Sequence, residues 1–208
     1  ELDNGSILNF NDAVLNNNAD YNFSDFFLGV HYKMVSGIFT FNPGIKLHQY
    51  TTKDTQLNTV NKDNLTKVLP DVYANLQFKS SESLRFNYAI TSQFSDINSV
   101  AEGYILDNYN SLSRGNRNIE NSLRHSYSLS YFSFSMFSFT NIHASVNYSK
   151  SVNGVKNSSE LIGVDRISYP INSDFADETL STNFRYGKTY SKLKTNFRAN
   201  DSNSIFNN

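Results

Sequence analysis

The 208-residue chain has no cysteine, no tryptophan and no apolar run approaching the roughly 18 residues that a membrane-crossing helix needs. The last absence excludes helical membrane spans, and the lack of cysteine fits a compartment where stray thiols would oxidise. Net charge is missing too. With 18 basic and 19 acidic residues the sum is −1, so nothing in the charge balance points to nucleic acid. No charged-then-apolar leader stands at Glu1, so the sequence is expected to be a mature form or to begin inside something longer. What the chain has in quantity is Phe (17) and Tyr (13), diluted by polar residues to a mean hydropathy of −0.48.

Those aromatics recur with a period of two. Tyr127, Leu129 and Tyr131 alternate with Ser126, Ser128 and Ser130, and Ile142, Ala144, Val146 and Tyr148 alternate with Asn141, His143, Ser145 and Asn147. In a strand this rhythm gives one apolar and one wet face. Strands of about 9–11 residues with such faces are the spanning elements of membrane β-barrels, which hide their hydrophobicity from a composition average. The pattern predicts an all-β, antiparallel up-and-down transmembrane barrel, with about eight strands at 22–34, 38–50, 69–79, 84–91, 123–134, 137–149, 179–186 and 192–200. Short breaks at 35–37, 80–83, 135–136 and 187–191 suit periplasmic hairpin turns. Long polar stretches at 51–68, 92–122 and 151–174 suit extracellular loops, with further pairing around 161–169. Residues 1–208 are read as one barrel segment.

With the apolar parity turned outward, Phe26, Leu28, Val30 and Tyr32 share the lipid side with Phe39, Phe41, Ile45 and Leu47, then Val72, Ala74, Leu76 and Phe78. Leu84, Phe86, Tyr88 and Ile90 follow, then Leu180, Phe184 and Tyr186, and last Leu193, Phe197 and Ala199. Lys33, Lys46, Asp71, Lys79, Arg85, Arg185, Lys192, Lys194 and Arg198 then fall on the opposite face. A Lys or Arg facing lipid at the midplane costs about 2–4 kcal/mol, so a bilayer would enforce this segregation. The uncharged stretch 127–139 would be an aggregation hazard with a free edge. Its Phe132, Phe134, Phe137 and Phe139, beside a short turn, are expected to form part of an aromatic girdle.

Three stretches carry a family resemblance: Leu69-Pro70-Asp71-Val72 entering a strand, Leu84-Arg85-Phe86-Asn87-Tyr88 leading to Thr91-Ser92-Gln93-Phe94-Ser95, and Gly115-Asn116-Arg117-Asn118-Ile119. With them, residues 21–200 resemble the barrel portion of the TonB-dependent receptor-like outer-membrane proteins of Bacteroidetes-type bacteria. Phe94 and Arg117 stand where that family has proline, and Asn121-Ser122 where it has Pro-Glu. The resemblance implies the cell outer membrane of a Gram-negative bacterium, import of a nutrient, and outer-membrane lipid, a plug domain and a TonB-type energising complex as partners. It also implies barrels of order 22 strands, so the present chain would be a piece of one. A self-contained eight-stranded barrel is the second architecture. A barrel that docks a surface lipoprotein or serves a secretion assembly, and a secreted β-sandwich binding module, are the other functional classes.

Catalytic chemistry is not expected, and neither is a cofactor or metal. His31, His48 and His143 share the wet parity but lie on different strands without a ligand spacing. His125 and Ser126 are neighbours that point to opposite faces, so they cannot act as base and nucleophile. Asp174, Asp177 and Glu178 cluster beside a strand without the oxygen spacing of a calcium loop. The sequons at Asn4, Asn64 and Asn157 are what an Asn- and Ser-rich chain produces by chance. The wet face is mostly basic, and ligand contact is expected at Lys46, Arg85, Arg185 and Arg198 on that face and at Arg114 and Arg117 in a loop.

Overall fold

A computed structural model of the chain describes residues 18–190, 192 and 194–207. Asn4 of the first sequon and Leu193 of the apolar set lie outside the described residues. The alternating runs form β1 (Asp20–His31), β2 (Met34–Ser36), β3 (Phe39–Gln56), β4 (Thr59–Lys79) and β5 (Glu82–Gln93). A single helical turn, α1 (Ile97–Val100), and two short strands, β6 (Ile105–Asn108) and β7 (Ser111–Ser113), precede β8 (Ser122–Ser135) and β9 (Thr140–Val152). The chain continues through β10 (Val155–Ile162), β11 (Asp165–Asn172), β12 (Asp177–Tyr190) and β13 (Thr195–Asn207).

Eight long strands follow one another in a single antiparallel sheet, β1-β3-β4-β5-β8-β9-β12-β13, with β2 added beside β3. These match the eight expected strands in order. Among the described residues β1 and β13 do not pair, so the sheet is open rather than a closed barrel. Each edge therefore presents a long row of backbone groups for a further strand.

Several boundaries differ from the sequence reading. Residues 51–68 are not a loop: β3 and β4 continue as a ladder to the pair Gln56 and Thr59, closed by Leu57 and Asn58 at φ 49 and 58. Two consecutive positive φ values make the tight turn whose twist matches a hairpin. The stretch reads as a loop because polar residues occupy both faces once the apolar band ends, although its threonines favour strand. The 151–174 region folds as the β10–β11 hairpin, turned at Gly163, and β11 pairs in parallel with β7 to make a separate four-stranded sheet with β6. The turn before β9 covers 136–139, so Phe137 to Phe139 are not strand. β12 runs on to Tyr190 through most of the turn expected at 187–191, and β13 begins later and extends seven residues beyond the expected Asn200.

Register settles which side chains share a face. Leu28 lies opposite Leu47 and Val30 opposite Ile45, and those meet Val68 and Pro70. Phe86 meets Ala74 and Leu129, Leu129 meets Val146, and Val146 meets Thr182. Lys46, Asp71, Arg85, His143, Arg185 and Arg198 stand on the other face. The girdle expectation changes: Phe132 pairs with Ser83 and His143, and Phe134 with Asn141, so both lie on the wet face. The aromatic row on the apolar face is instead Tyr88, Tyr127 and Tyr148, with ring centroids 4.6 and 5.8 Å apart.

That face has sharp ends. On β12, Glu178 and Lys188 bracket Leu180, Thr182, Phe184 and Tyr186. Glu178 bonds Lys150 at 2.9 Å one step beyond Tyr148, and at the opposite end the Tyr131 hydroxyl donates to Glu82 at 2.7 Å. Among the described residues one charge falls inside the band: Asp201 stands opposite Phe184 on the edge strand β13, accepting from Asn203 at 3.0 Å. Among the described residues nothing covers the apolar side of β1. Phe26, Leu28 and Val30 accordingly remain 76%, 67% and 66% exposed.

Candidate functional site

The wet face becomes a site because the chain after β5 folds back over it. Phe94 brings its ring to 4.7 Å from that of Phe23 on β1 and 4.4 Å from that of Tyr50 on β3, reaching across the sheet. Tyr50 is buried by this contact. His48 stacks between Phe27 and Tyr50 at 5.1 and 5.3 Å. An aromatic cluster thus lies on the face that alternation marks as polar. Sequence reading missed it because Phe23, Phe27 and Tyr50 sit out of phase with the apolar parity of their strands.

The loop is anchored further by Arg117. Its Nε donates to Asp54 Oδ1 at 2.7 Å and a terminal nitrogen to the same oxygen at 2.6 Å, while Nη1 donates to Thr59 Oγ1 at 2.6 Å. Both side chains of the pair are mostly buried, at 16% and 12% exposure. Gln56 reinforces the anchor: it donates to Asp54 at 3.0 Å and to the Val100 carbonyl at 3.0 Å, and accepts from the Glu102 amide at 2.7 Å. Gly115 donates its amide to the Ala101 carbonyl, and the side chain of Asn116 bonds Pro170 O. The resembling stretch Gly115–Ile119 is therefore the piece that pins the loop to the end of the β3–β4 hairpin and to β11. At its start Asp96 caps α1, accepting from the Ser99 hydroxyl and amide at 2.9 Å; these bonds hold its carboxyl below the usual range.

The expected ligand cations separate into two groups. Lys46 lies 3.8 Å from Asp71, which also pairs with His31 at 2.8 Å, and His48 pairs with Asp25 at 3.0 Å. Arg117 is committed to Asp54, and Arg114 rests against the rings of Tyr104 and Tyr169 at 5.5 and 5.8 Å. Arg85 points from β5 without an ion-pair partner among the described residues. Arg185 and Arg198 converge on one recess near the β12–β13 turn, together with His143, Asn141 and Asn183. No carboxylate lines that recess.

Other candidates resolve simply. Asp177 pairs with Lys156 at 2.8 Å and Glu178 with Lys150, and no group of three metal-ligating side chains occurs among the described residues. His125 and Ser126 face opposite sides, and His125 Nδ1 meets the Tyr88 hydroxyl at 3.1 Å. No protein-family model and no curated protein matches the chain.

Proposed function

We propose that the chain forms wall and loops of a TonB-dependent receptor-like outer-membrane transporter that imports a nutrient. The observation that carries this reading is the exposed apolar face bounded by Tyr and charge at both ends. Each of its large side chains gains about 1.5–3 kcal/mol on leaving water, so the face requires a covering. On β12 the bracketing charges are ten positions apart, about 33 Å along a strand at ~3.3 Å per residue. A strand tilt of about 40° reduces this to about 25 Å, the height of the lipid band on an outer-membrane barrel. A two-layer sandwich would bury these rows under protein, whereas Phe26, Leu28, Val68 and Val146 are exposed.

The open edges at β1 and β13 then pair with further strands of a larger barrel, and the loop pinned by Arg117 forms part of the outer mouth. Lipid is the direct partner, and a plug and TonB-type complex supply gating and energy. Membrane fractionation of the full-length gene product, followed by an alkaline wash and uptake assays in a deletion strain, tests this. Retention in the washed outer membrane with loss of uptake of one nutrient class is expected. Release of the protein by the wash contradicts the membrane reading, and retention without any uptake defect contradicts transport.

A further inference from the structure

The contrast among the wet-face cations carries one step further. On the β1–β5 half, Arg85 has no ion pair among the described residues, but Lys46 lies near Asp71, and Asp71, Asp25 and Asp54 are answered by His31, His48 and Arg117. On the β12–β13 half, Arg185 and Arg198 share a recess with no acid in its lining and no ion pair among the described residues.

Register places the two arginines diagonally across the β12–β13 pair, on the border of one recess. Arg185 stands opposite His143 on one side and Asn200 on the other, and Arg198 stands opposite Gly187, the next wet-face position on β12. Gly187 has no side chain, and the Asn141 amide from β9 fills the space a Cβ would take there, placing that amide beside both arginines. His143 Nδ1 is buried with no hydrogen-bond partner. An anion between two neighbouring exposed cations relieves their mutual repulsion, and planar guanidinium forks fit the paired oxygens of carboxylate or phosphate.

We propose that this recess is a binding site for a small polyoxygen anion, a carboxylate- or phosphate-bearing solute, held by Arg185 and Arg198 with His143 and the Asn141 and Asn183 amides as further donors. The proposal rests on the reading of the wet face as a water-filled lumen wall, where it names the chemical class of the solute. It assigns the site to the turn end of the wall, away from the loop pinned by Arg117.

The test is titration of the full-length protein in a non-ionic detergent with inorganic phosphate and, separately, with citrate, followed calorimetrically and by the His143 ring resonances. Arg185→Gln and Arg198→Gln are each expected to weaken binding at least tenfold, and together to abolish it. Arg124→Gln, which removes the same charge from the same face outside the recess, leaves binding unchanged. Arg185→Lys with Arg198→Lys keeps the charge but loses the forks, and is expected to fall between wild type and the double Gln variant. Unaltered strand content by circular dichroism identifies the folded variants. No binding of either anion up to millimolar concentration overturns the proposal, as does equal loss in Arg124→Gln and Arg185→Gln. A chain that binds phosphate yet washes off membranes refutes the lumen reading and keeps the site; a membrane-integral chain that binds neither anion does the reverse.

Discussion

Replacing Arg117 with Met removes the cation that anchors the loop and leaves Asp54 charged in a mostly buried position. Deleting one partner of a buried pair costs about 3–5 kcal/mol, because the remaining charge is uncompensated. Gln56 still donates to Asp54 and still holds Val100 and Glu102, which puts the expected cost near the low end, about 3 kcal/mol. Asp54 sits at the far end of the β3–β4 ladder, beyond the apolar band, so this cost is paid locally by loop opening. At ~1.4 kcal/mol per tenfold, amide protection across 94–121 should fall roughly 100-fold. Protection of β8, β9 and β12 should stay unchanged. Adding Asp54→Asn removes the orphaned charge, so the double variant should regain most of the protection, giving a strongly non-additive cycle. Hydrogen–deuterium exchange resolved to individual amides reads Arg117→Met, Asp54→Asn and the double variant. Unchanged loop protection in Arg117→Met, or uniform loss across the sheet, refutes the anchoring role.

Val146→Arg should block membrane assembly, since a cation on the apolar face costs about 2–4 kcal/mol at the midplane, whereas Asn147→Arg on the wet face should assemble; heat-modifiable electrophoretic migration distinguishes them. A Cβ on Gly115 would lie 2.6 Å from the Ala101 amide nitrogen and 2.7 Å from its carbonyl oxygen. Because these are backbone atoms, Gly115→Ala should cost about 1–3 kcal/mol and release the same loop amides as Arg117→Met. Asp96 has its pKa lowered by the Ser99 hydroxyl first and the Ser99 amide second. The sign follows: its contribution is present above the ordinary carboxylate pKa and is lost as pH falls through the depressed value. Exchange at Ser99 should therefore accelerate, after correction for intrinsic rates, only in strongly acidic buffer, and Asp96→Asn should flatten that dependence.

The faces and order of the eight long strands were legible in the sequence because an apolar residue at every second position leaves one register that keeps charge off one face. Legibility ended where that contrast ended. Thr51 to Gln56 and Thr59 to Val68 pair as regularly as the rest, but polar residues on both sides carry no face signal, and only their β-branched content and Asn58 hinted at a hairpin. Asp201 on the apolar face was hidden for a related reason: β13 continues past Asn200 through Asp-Ser-Asn-Ser, where the apolar parity fades before Ile205. Arg117 stood out through its loop motif, yet its partner Asp54 lies 63 positions earlier, in a stretch that read as a loop. Arg185 and Arg198 could be given the correct face from parity, but their convergence with His143 depends on the stagger of β9, β12 and β13, which no local pattern encodes.

Spin labels at successive positions along β9 measure directly whether lipid wets one side and water the other, and the absence of cysteine makes each labelling site unique. In bilayers, labels at 142, 144, 146 and 148 should collide with dissolved oxygen and be shielded from a water-soluble nickel reagent, while labels at 143, 145 and 147 should show the reverse. A period-two alternation of the two accessibilities is the predicted result. Shielding of position 146 from both reagents, or equal access at 146 and 147, contradicts it.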